Sequence, residues 1–494
     1  MTTGGRNMLF IMSDEHSKRV LGAYGNEVIR TPHLDRLAAE GATFDAAYTN
    51  CPICVPARAS FATGRHVHEI GNWDNGFPYT GEPRGWGHRL AMAGHRVESI
   101  GKLHYRSSDD DNGFTREILP LHVLDGRGDI QGMLRRPPPL RPSTRQLAED
   151  AGEGESTYLD YDRKIRDAAC AWLEDAAARR DDEPWTLFVS FVCPHFPLVA
   201  PPEFFSMYPL DQVPMPRLRD PEDFPDHPVL RKLREVQAYE DHFTDEDHIR
   251  RAVAAYYGMV SFLDDNVGRV LRALDEAGLR DDTMVVYTSD HGDNLGTRTF
   301  WGKSNMYEES VGIPLICRGP DFEPGERVRT PVSLVDGYQT ILENAGIDPD
   351  DEHAPVDGLP GIAWQKIVKG VASSRMVLSE YHAVGSITAI FMLRWRRYKY
   401  VHYEGYRPQL FDLEADPLET RDLALEPEFA ALVKEGERNL RAVCDVEEVT
   451  ARAFADQAAR IAEFGGEQAV LEMGSYPYTP APGEAPRISG AGPK

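Results

Sequence analysis

The stretch Met284-Val285-Val286-Tyr287-Thr288-Ser289-Asp290-His291-Gly292-Asp293 sets a β-branched apolar run directly against two carboxylates, an imidazole and a glycine. A short run of that composition, closed by turn formers, reads as a strand buried on both faces. The arrangement recurs three times upstream. Met8–Met12 runs into Ser13-Asp14-Glu15-His16, Val97–Ile100 into Gly101-Lys102-Leu103-His104, and Trp185–Val192 into Pro194-His195-Phe196-Pro197. Pro314–Cys317 and Met376–Ser379 are two further runs of the same kind. In open α/β sheets, ligands bind beyond the carboxyl ends of the strands. Four ends carrying Asp, Lys/His, His and Asp/His therefore predict a metal site ringed by cationic groups. By itself that supports a metal-assisted hydrolase or transferase acting on an anionic group.

Between these runs lie helical patterns, the signature of a sheet with crossover helices. Thr31 is expected to cap a helix with Pro32 at its first position, Gly41 just past its end, and Leu34, Leu37 and Ala38 on one face. A longer helix is expected from about His248 to Ala277, where Tyr256, Val260, Leu263, Val267 and Val270 keep helical spacing. Residues 106–158 and 200–246 are rich in Asp and Pro and read as long irregular loops, of the kind that shape a substrate entrance or merely pad the surface. From about Ala389 the pattern changes, and AIFMLRWRRYKYVHY reads as an antiparallel pair. The expected fold is α/β: a large mixed, mostly parallel sheet flanked by helices, with a smaller C-terminal α+β subdomain built on an antiparallel sheet. The expected divisions are a catalytic domain over 1–385, a subdomain over 386–475 and a Pro/Gly-rich tail over 476–494.

With 54 Lys and Arg against 79 Asp and Glu, the 494-residue chain carries a net charge of −25. Such a surface repels nucleic acid and anionic membranes, which excludes both as main partners. An anion site on it must be a local cationic pocket. Hydrophobic residues at 41% are enough for a sizeable core. The N-terminus lacks the charged start and long apolar run of a signal peptide, and no run is long enough to span a membrane. Cys193 and Cys317 end apolar strand-like runs, so the six cysteines read as free thiols in a reducing compartment, and a cytoplasmic location is expected.

Asp14, Asp290 and His291 combine hard oxygens with one imidazole, a set suited to Ca²⁺, Mg²⁺ or Mn²⁺, with Glu15 as a further or supporting carboxylate. One Asp after a strand is more often a turn former. Recurrence at several strand ends favours function.

The segment Asn50-Cys51-Pro52-Ile53-Cys54-Val55-Pro56-Ala57-Arg58-Ala59-Ser60-Phe61-Ala62-Thr63-Gly64-Arg65 is the most specific in the chain. Pro56 suits a first helical turn and Gly64 a helix end, so Cys54 falls at a helix N-terminus, where free N–H groups favour an anion. Cys51 and Cys54 also admit a reading as a zinc or redox CxxC pair, although no second CxxC or CxxH lies nearby to complete a zinc site.

Cys54-Val55-Pro56-Ala57-Arg58, followed by Ala59-Ser60 and Thr63-Gly64, resembles the type I sulfatase signature CxPxR…TG, in which a modifying enzyme converts the cysteine to Cα-formylglycine. Counted from Cys51 the pattern fails, because Ile53 stands where proline is needed and Val55 where arginine is needed. IMSDEH, TPHLDRLAAEG, GKLHY, PHFP, YYGMVSFLDDNVG, TSDHGD, WGKSNMYEES and LFDLEADPLE resemble sulfatase segments in family order. The resemblance is to the formylglycine-dependent sulfatases of the alkaline phosphatase superfamily, near the arylsulfatase, choline-sulfatase and phosphonate monoester hydrolase branches. It implies hydrolysis of an aryl or small alkyl sulfate ester, or of phosphonate monoesters and phosphodiesters at the same site. A non-catalytic sulfatase-like protein is the third alternative. It also implies one divalent ion, Ca²⁺ or Mn²⁺, held by Asp14, Asp290, His291 and the formylglycine at Cys54. Arg58 then holds the nucleophile, while Lys102, His104, His195 and Lys303 form the cationic and acid–base ring. Asn75, Lys102, His195 and Lys303 are the implied substrate contacts. Many relatives have a second acidic ligand and an asparagine where this chain has Glu15 and His291; the imidazole makes Mn²⁺ a rival to Ca²⁺. The expected partners are a small-molecule ester, the formylglycine-generating enzyme and further copies of the chain.

Overall fold

Alternate side chains of Asn7–Asp14 (β1) feed two different cores, Leu9 and Ile11 on one face and Met8, Phe10 and Met12 on the other. That is how a strand buried on both sides must behave. In the computed structural model, which describes residues 5–179, 183–347 and 358–489, this strand lies inside an eight-stranded sheet. The other strands are Ala42–Phe44 (β2), Arg96–Lys102 (β3), Arg116–Leu121 (β4), Trp185–Pro194 (β5), Thr283–Ser289 (β6), Leu315–Arg318 (β7) and Glu326–Val328 (β8). Their spatial order is β8-β2-β7-β6-β1-β5-β3-β4, parallel throughout except that β7 runs against both its neighbours.

Register sets the strand ends level. Met12 pairs with Ser190 and Thr288, and Gly101 also pairs with Ser190, so β1, β3, β5 and β6 finish along one edge. The helices that matter are Pro32–Ala39 (α1), Cys54–Thr63 (α2), Thr157–Ala178 (α3), Glu246–Glu276 (α4) and Asp336–Asn344 (α5). α1, α3 and α4 pack in the core with Leu9 and Ile11, and α2 and α5 in the core with Phe10. The long helix lies within two residues of its expected bounds. The cap of α1 differs from expectation. Thr31 accepts no capping bond from the helix backbone; its hydroxyl donates to the Asp35 side chain at 3.2 Å. Instead Asp264, from the middle of α4, accepts from His33 N at 3.1 Å and Leu34 N at 2.8 Å.

The second sheet is an antiparallel meander of Met376–Tyr381 (β9), Ile390–Trp395 (β10), Tyr398–Tyr403 (β11) and Gln409–Asp412 (β12). Met376–Ser379, read from sequence with the large sheet, is the edge strand here. Apolar strands look alike whichever sheet recruits them. The excursion over 106–158 contains β4, and its Arg135 is buried, donating to the carbonyls of His382, Ser386 and Thr388 at 2.6–2.7 Å. Residues 475–489, in and beside the expected tail, are closed by Ser475–Ser489 backbone pairing and pack on the rest of the chain through a Ser475–Ser143 hydroxyl bond of 3.1 Å and an Arg487–Asp150 bridge of 2.9 Å. The first four residues of the chain and the last five of that tail lie outside the described residues. None of the six cysteines is in a disulfide. Among the described residues no helix is long and apolar enough to cross a membrane.

The α1 cap is testable. Asp264→Ala leaves the buried Leu34 N–H and the part-buried His33 N–H without their acceptor and is expected to cost about 1–2 kcal/mol. The measure is a lower urea midpoint at unchanged slope; a midpoint equal to that of the wild type would show that the cap contributes nothing.

Candidate active site

The level strand ends deliver Asp14 from β1, Lys102 from β3, His195 just past β5, and Asp290 with His291 just past β6. Asp14, Asp290 and His291 are fully buried, and Lys102 and His195 nearly so. Glu15 and His104 turn sharply out of their strands with φ of 68° and 61°. A non-glycine residue held there is strained, and such strain clusters at functional sites.

The loop after the short Ala47–Tyr48 strand brings in Cys54 as the first residue of α2. Its thiol sulfur lies 3.1 Å from His291 Nε2 and 3.6 Å from Asp14 Oδ1. Ligand atoms of Asp14, Cys54, Asp290 and His291 all fall within 4.8 Å of one another. Ile53 offers the helix N-terminus no side-chain cap; Asn75 Oδ1 accepts from Val55 N at 3.2 Å instead. The helix ends at Gly64, at φ 67°, where a Cβ would meet the Tyr338 ring at 2.7 Å.

Arg58, one turn into α2, reaches under the cluster. Its Nε donates to Asp290 Oδ2 at 2.8 Å and its Nη2 to Asp14 Oδ2 at 3.1 Å. Nη1 donates to the Lys102 carbonyl at 2.7 Å and to Ser190 Oγ at 2.9 Å. Each carboxylate thus gives one oxygen to Arg58. The other oxygen of Asp14 points to Cys54, and that of Asp290 accepts from the backbone N–H of Glu15 and His291. His291 Nδ1 is hydrogen-bonded to the Gly292 carbonyl at 3.0 Å. That bond puts the proton on Nδ1 and turns the Nε2 lone pair towards Cys54 and the carboxylates, as a metal ligand requires. The donor set therefore fits one divalent cation. Glu15 stands apart from this set, with Lys303 Nζ at 2.6 Å and His195 Nε2 at 3.3 Å from its Oε2.

The electrostatics divide the site. Burial alone would raise the Asp14 carboxyl, but Lys102 and Arg58 oppose it, and the carboxyl is held well below its usual range. Lys102 Nζ sits 2.5 Å from Asp14 Oδ2. Burial, with Asp293 alongside, lifts Glu15 well above the usual carboxylate range although Lys303 opposes it. Burial and nearby cations, Lys303 for His195 and Lys102 for His104, push both imidazoles well down, so both are neutral in the free site. Burial and Asp14 push the Cys54 thiol up to about 11 despite Lys303 and Lys102. A thiol kept protonated is a poor nucleophile at neutral pH.

Above the cluster opens a cavity lined by Cys54, Asn75, Lys102, His104, His195 and Lys303. All six were singled out from sequence. Arg58, Asp14, Asp290 and His291 lie beneath it. Other wall residues were not foreseen: Asp129 and Arg141, paired at 2.6 Å, with Gln237, Tyr239 and residues 476–479. They come from the two stretches read as loops and from the tail; the second stretch in fact contains a helix, Pro228–Gln237, whose last residue is Gln237.

A family model described as "Sulfatase" matches residues 6–347, and one described as "N-sulphoglucosamine sulphohydrolase, C-terminal" matches residues 296–445. Choline-sulfatase of Rhizobium meliloti (strain 1021) is 33% identical over 435 residues, covering 86% of this chain and 84% of its own. Arylsulfatase K of Danio rerio is 30% identical over 465 residues, covering 90% and 84%. Two solved structures share the fold. One, determined in complex with its substrate D-glucosamine-2-N,6-O-disulfate, gives a TM-score of 0.71 at 22% identity over 92% of this chain and 98% of that one. The other, the phosphonate monoester hydrolase of Agrobacterium radiobacter, gives 0.68 at 21% identity over 88% and 95%. With the family match spanning most of the sheet and both curated relatives matching along most of their length, the chain belongs to the sulfatase family.

Proposed function

We propose that the protein hydrolyses sulfate monoesters of aryl or small alkyl alcohols, using residue 54 after its conversion from cysteine to Cα-formylglycine. The observation that carries this reading is the position of Cys54. It heads a helix, touches His291 and Asp14, and floors a cavity walled by two lysines and two histidines.

Asp14, Asp290, His291 and the residue-54 side chain would hold Ca²⁺ or Mn²⁺, which supplies Lewis acidity to a coordinated hydroxyl. Hydrated, the aldehyde supplies two hydroxyls on one carbon, one to attack sulfur and one whose deprotonation releases sulfate. The protein's own groups do the rest. A sulfate ester spreads negative charge over the oxygens around sulfur, and catalysis requires fixed cations facing them. Lys102 and Lys303 are those cations. Lys303 Nζ stands 2.6 Å from Glu15 Oε2, and Lys102 Nζ 2.5 Å from Asp14 Oδ2. His195 and Lys303 stand together against Glu15, and Lys303 delivers the proton that leaves with the alcohol. His104, neutral in the free site, accepts the proton whose removal releases sulfate. Asn75 holds the N-terminus of α2 and borders the same cavity, where it contacts substrate. Arg58 fixes the floor.

A second reading, hydrolysis of phosphonate monoesters or phosphodiesters, uses the same cup for another tetrahedral anion, and the shared fold of the Agrobacterium enzyme favours it.

Intact mass of the Cys54 peptide from the native host is expected to be about 18 Da below that of the thiol, the signature of conversion to the aldehyde. An unmodified cysteine there would count against the mechanism. On converted protein, kcat/KM for an aryl sulfate is expected to exceed that for the matched phosphonate ester by at least about tenfold, or 1.4 kcal/mol of transition-state binding. The reverse preference would select the second reading. Replacing His104 with Ala is expected to lower kcat by about 10²–10⁴-fold; a loss below tenfold would remove it from the acid–base ring. Chelation should abolish turnover, with Mn²⁺ or Ca²⁺ restoring it, whereas full activity in excess chelator would exclude a metal.

A further inference from the structure

The segment Tyr476-Pro477-Tyr478-Thr479 lies in the expected tail, yet all four residues line the active-site cavity. Thr479 Oγ1 is 2.8 Å from His104 Nε2. His104 Nδ1 is buried and has no hydrogen-bond partner among the described residues. The ring is therefore tied at one nitrogen and left with the other free.

The segment is held in place from several sides. The Tyr158 hydroxyl, from α3, donates to the Thr479 carbonyl. The Tyr478 ring packs against Tyr158 at 5.1 Å and Phe196 at 6.1 Å, and Phe196 stacks on His195 at 4.6 Å. Before it, Ser475 Oγ donates to Ser143 Oγ at 3.1 Å, and Ser475 pairs with Ser489 through two backbone hydrogen bonds. After it, Glu484 accepts from Thr157 Oγ1 at 2.6 Å. A loose terminus would not bury its tyrosine and threonine side chains, but Tyr478 and Thr479 are buried.

We propose that this C-terminal segment is a wall of the active site, and that Thr479 is the positioning residue of His104. With Nε2–H donated to the threonine hydroxyl, the lone pair sits on Nδ1, and one tautomer and one ring orientation are selected. His104 needs that support, because its backbone is already in the strained left-handed region and, among the described residues, its one side-chain hydrogen bond is to Thr479. Thr479 touches no reacting atom. It acts through the imidazole, and the aromatic packing of Tyr478 carries its position to the His195 side of the cup. The inference rests on the role given to His104 in the proposed function.

The experiment compares Thr479→Val, which keeps the shape and removes the hydroxyl, with Thr479→Ser, which keeps the hydroxyl, both on protein with verified conversion of Cys54. Thr479→Val is expected to lower kcat by about tenfold or more with KM within about twofold, as misorientation of a proton-transfer group does. Thr479→Ser is expected to stay within about threefold of wild type. Equal loss in both variants, or a Thr479→Val kcat within twofold of wild type, overturns the proposal. A second readout is independent of turnover. Spectra of ¹⁵N-histidine-labelled protein, with His104→Gln for assignment, should show a single Nε2–H tautomer for His104 that becomes mixed in Thr479→Val. An unchanged tautomer overturns the positioning role even if wild-type protein hydrolyses no sulfate ester. That last result would itself overturn only the proposed function.

Discussion

Arg58 is bonded to all four central strands at once. Its guanidinium meets Asp290 after β6, Asp14 of β1, the Lys102 carbonyl of β3 and Ser190 of β5. Burying a guanidinium and two carboxylates costs several kcal/mol per ion unless the geometry and remaining hydrogen bonds are well satisfied, and breaking such a set by removing one partner costs about 3–5 kcal/mol. Burial opposes the charge on Arg58, while Asp290 and Asp14 more than compensate and hold it far above its ordinary range. The consequence is geometric. Cys54 stands one helical turn before Arg58, so anchoring the guanidinium beneath the strand ends places the sulfur on the floor of the cup.

The same constraint organises charge. A chain of net charge −25 repels small anions at long range. Within the cup cations stand against the carboxylates: Arg58 occupies one oxygen of each floor carboxylate and Lys102 the same oxygen of Asp14, while Lys303 stands at the rim against Glu15. An ester anion that enters meets fixed cations in a water-poor pocket, where their attraction is far stronger than at the surface. The remaining walls of the cavity come from elsewhere: Asp129 and Arg141 from one loop, Gln237 and Tyr239 from the end of the helix Pro228–Gln237 and just past it, and Tyr476–Thr479 from the end of the chain.

The large sheet and the floor of the site were legible because both rest on local signals. Continuous apolar runs mark strands buried on both faces, and the polar residues that interrupt them fall at strand ends by necessity. Pro56 and Gly64 bracket α2, and within it Cys54 and Arg58 are one turn apart whatever surrounds them. Other features had no such signal. Met376–Ser379 has the composition of a large-sheet strand but pairs with Ile390–Trp395, since pairing depends on which edge is available. Thr31 has the right identity and position for a cap, yet a carboxylate 230 residues away in sequence takes the role. The last segment, rich in proline and glycine, carries no periodicity to suggest that it packs at all.

The sequence by itself determined the chemistry on offer: which donors could bind a metal, which cysteine matched the signature, and which cations could face an anion. These are properties of residue type and short-range spacing, and they survive in any arrangement of the chain. Only the tertiary structure decided which nitrogen of His291 faces the cluster, that Glu15 joins Lys303 and His195 rather than the four floor donors, and that Thr479 meets His104. Each of those outcomes depends on contacts between residues far apart in the chain, and such contacts are selected by packing and hydrogen-bond satisfaction across the whole fold rather than by any local pattern.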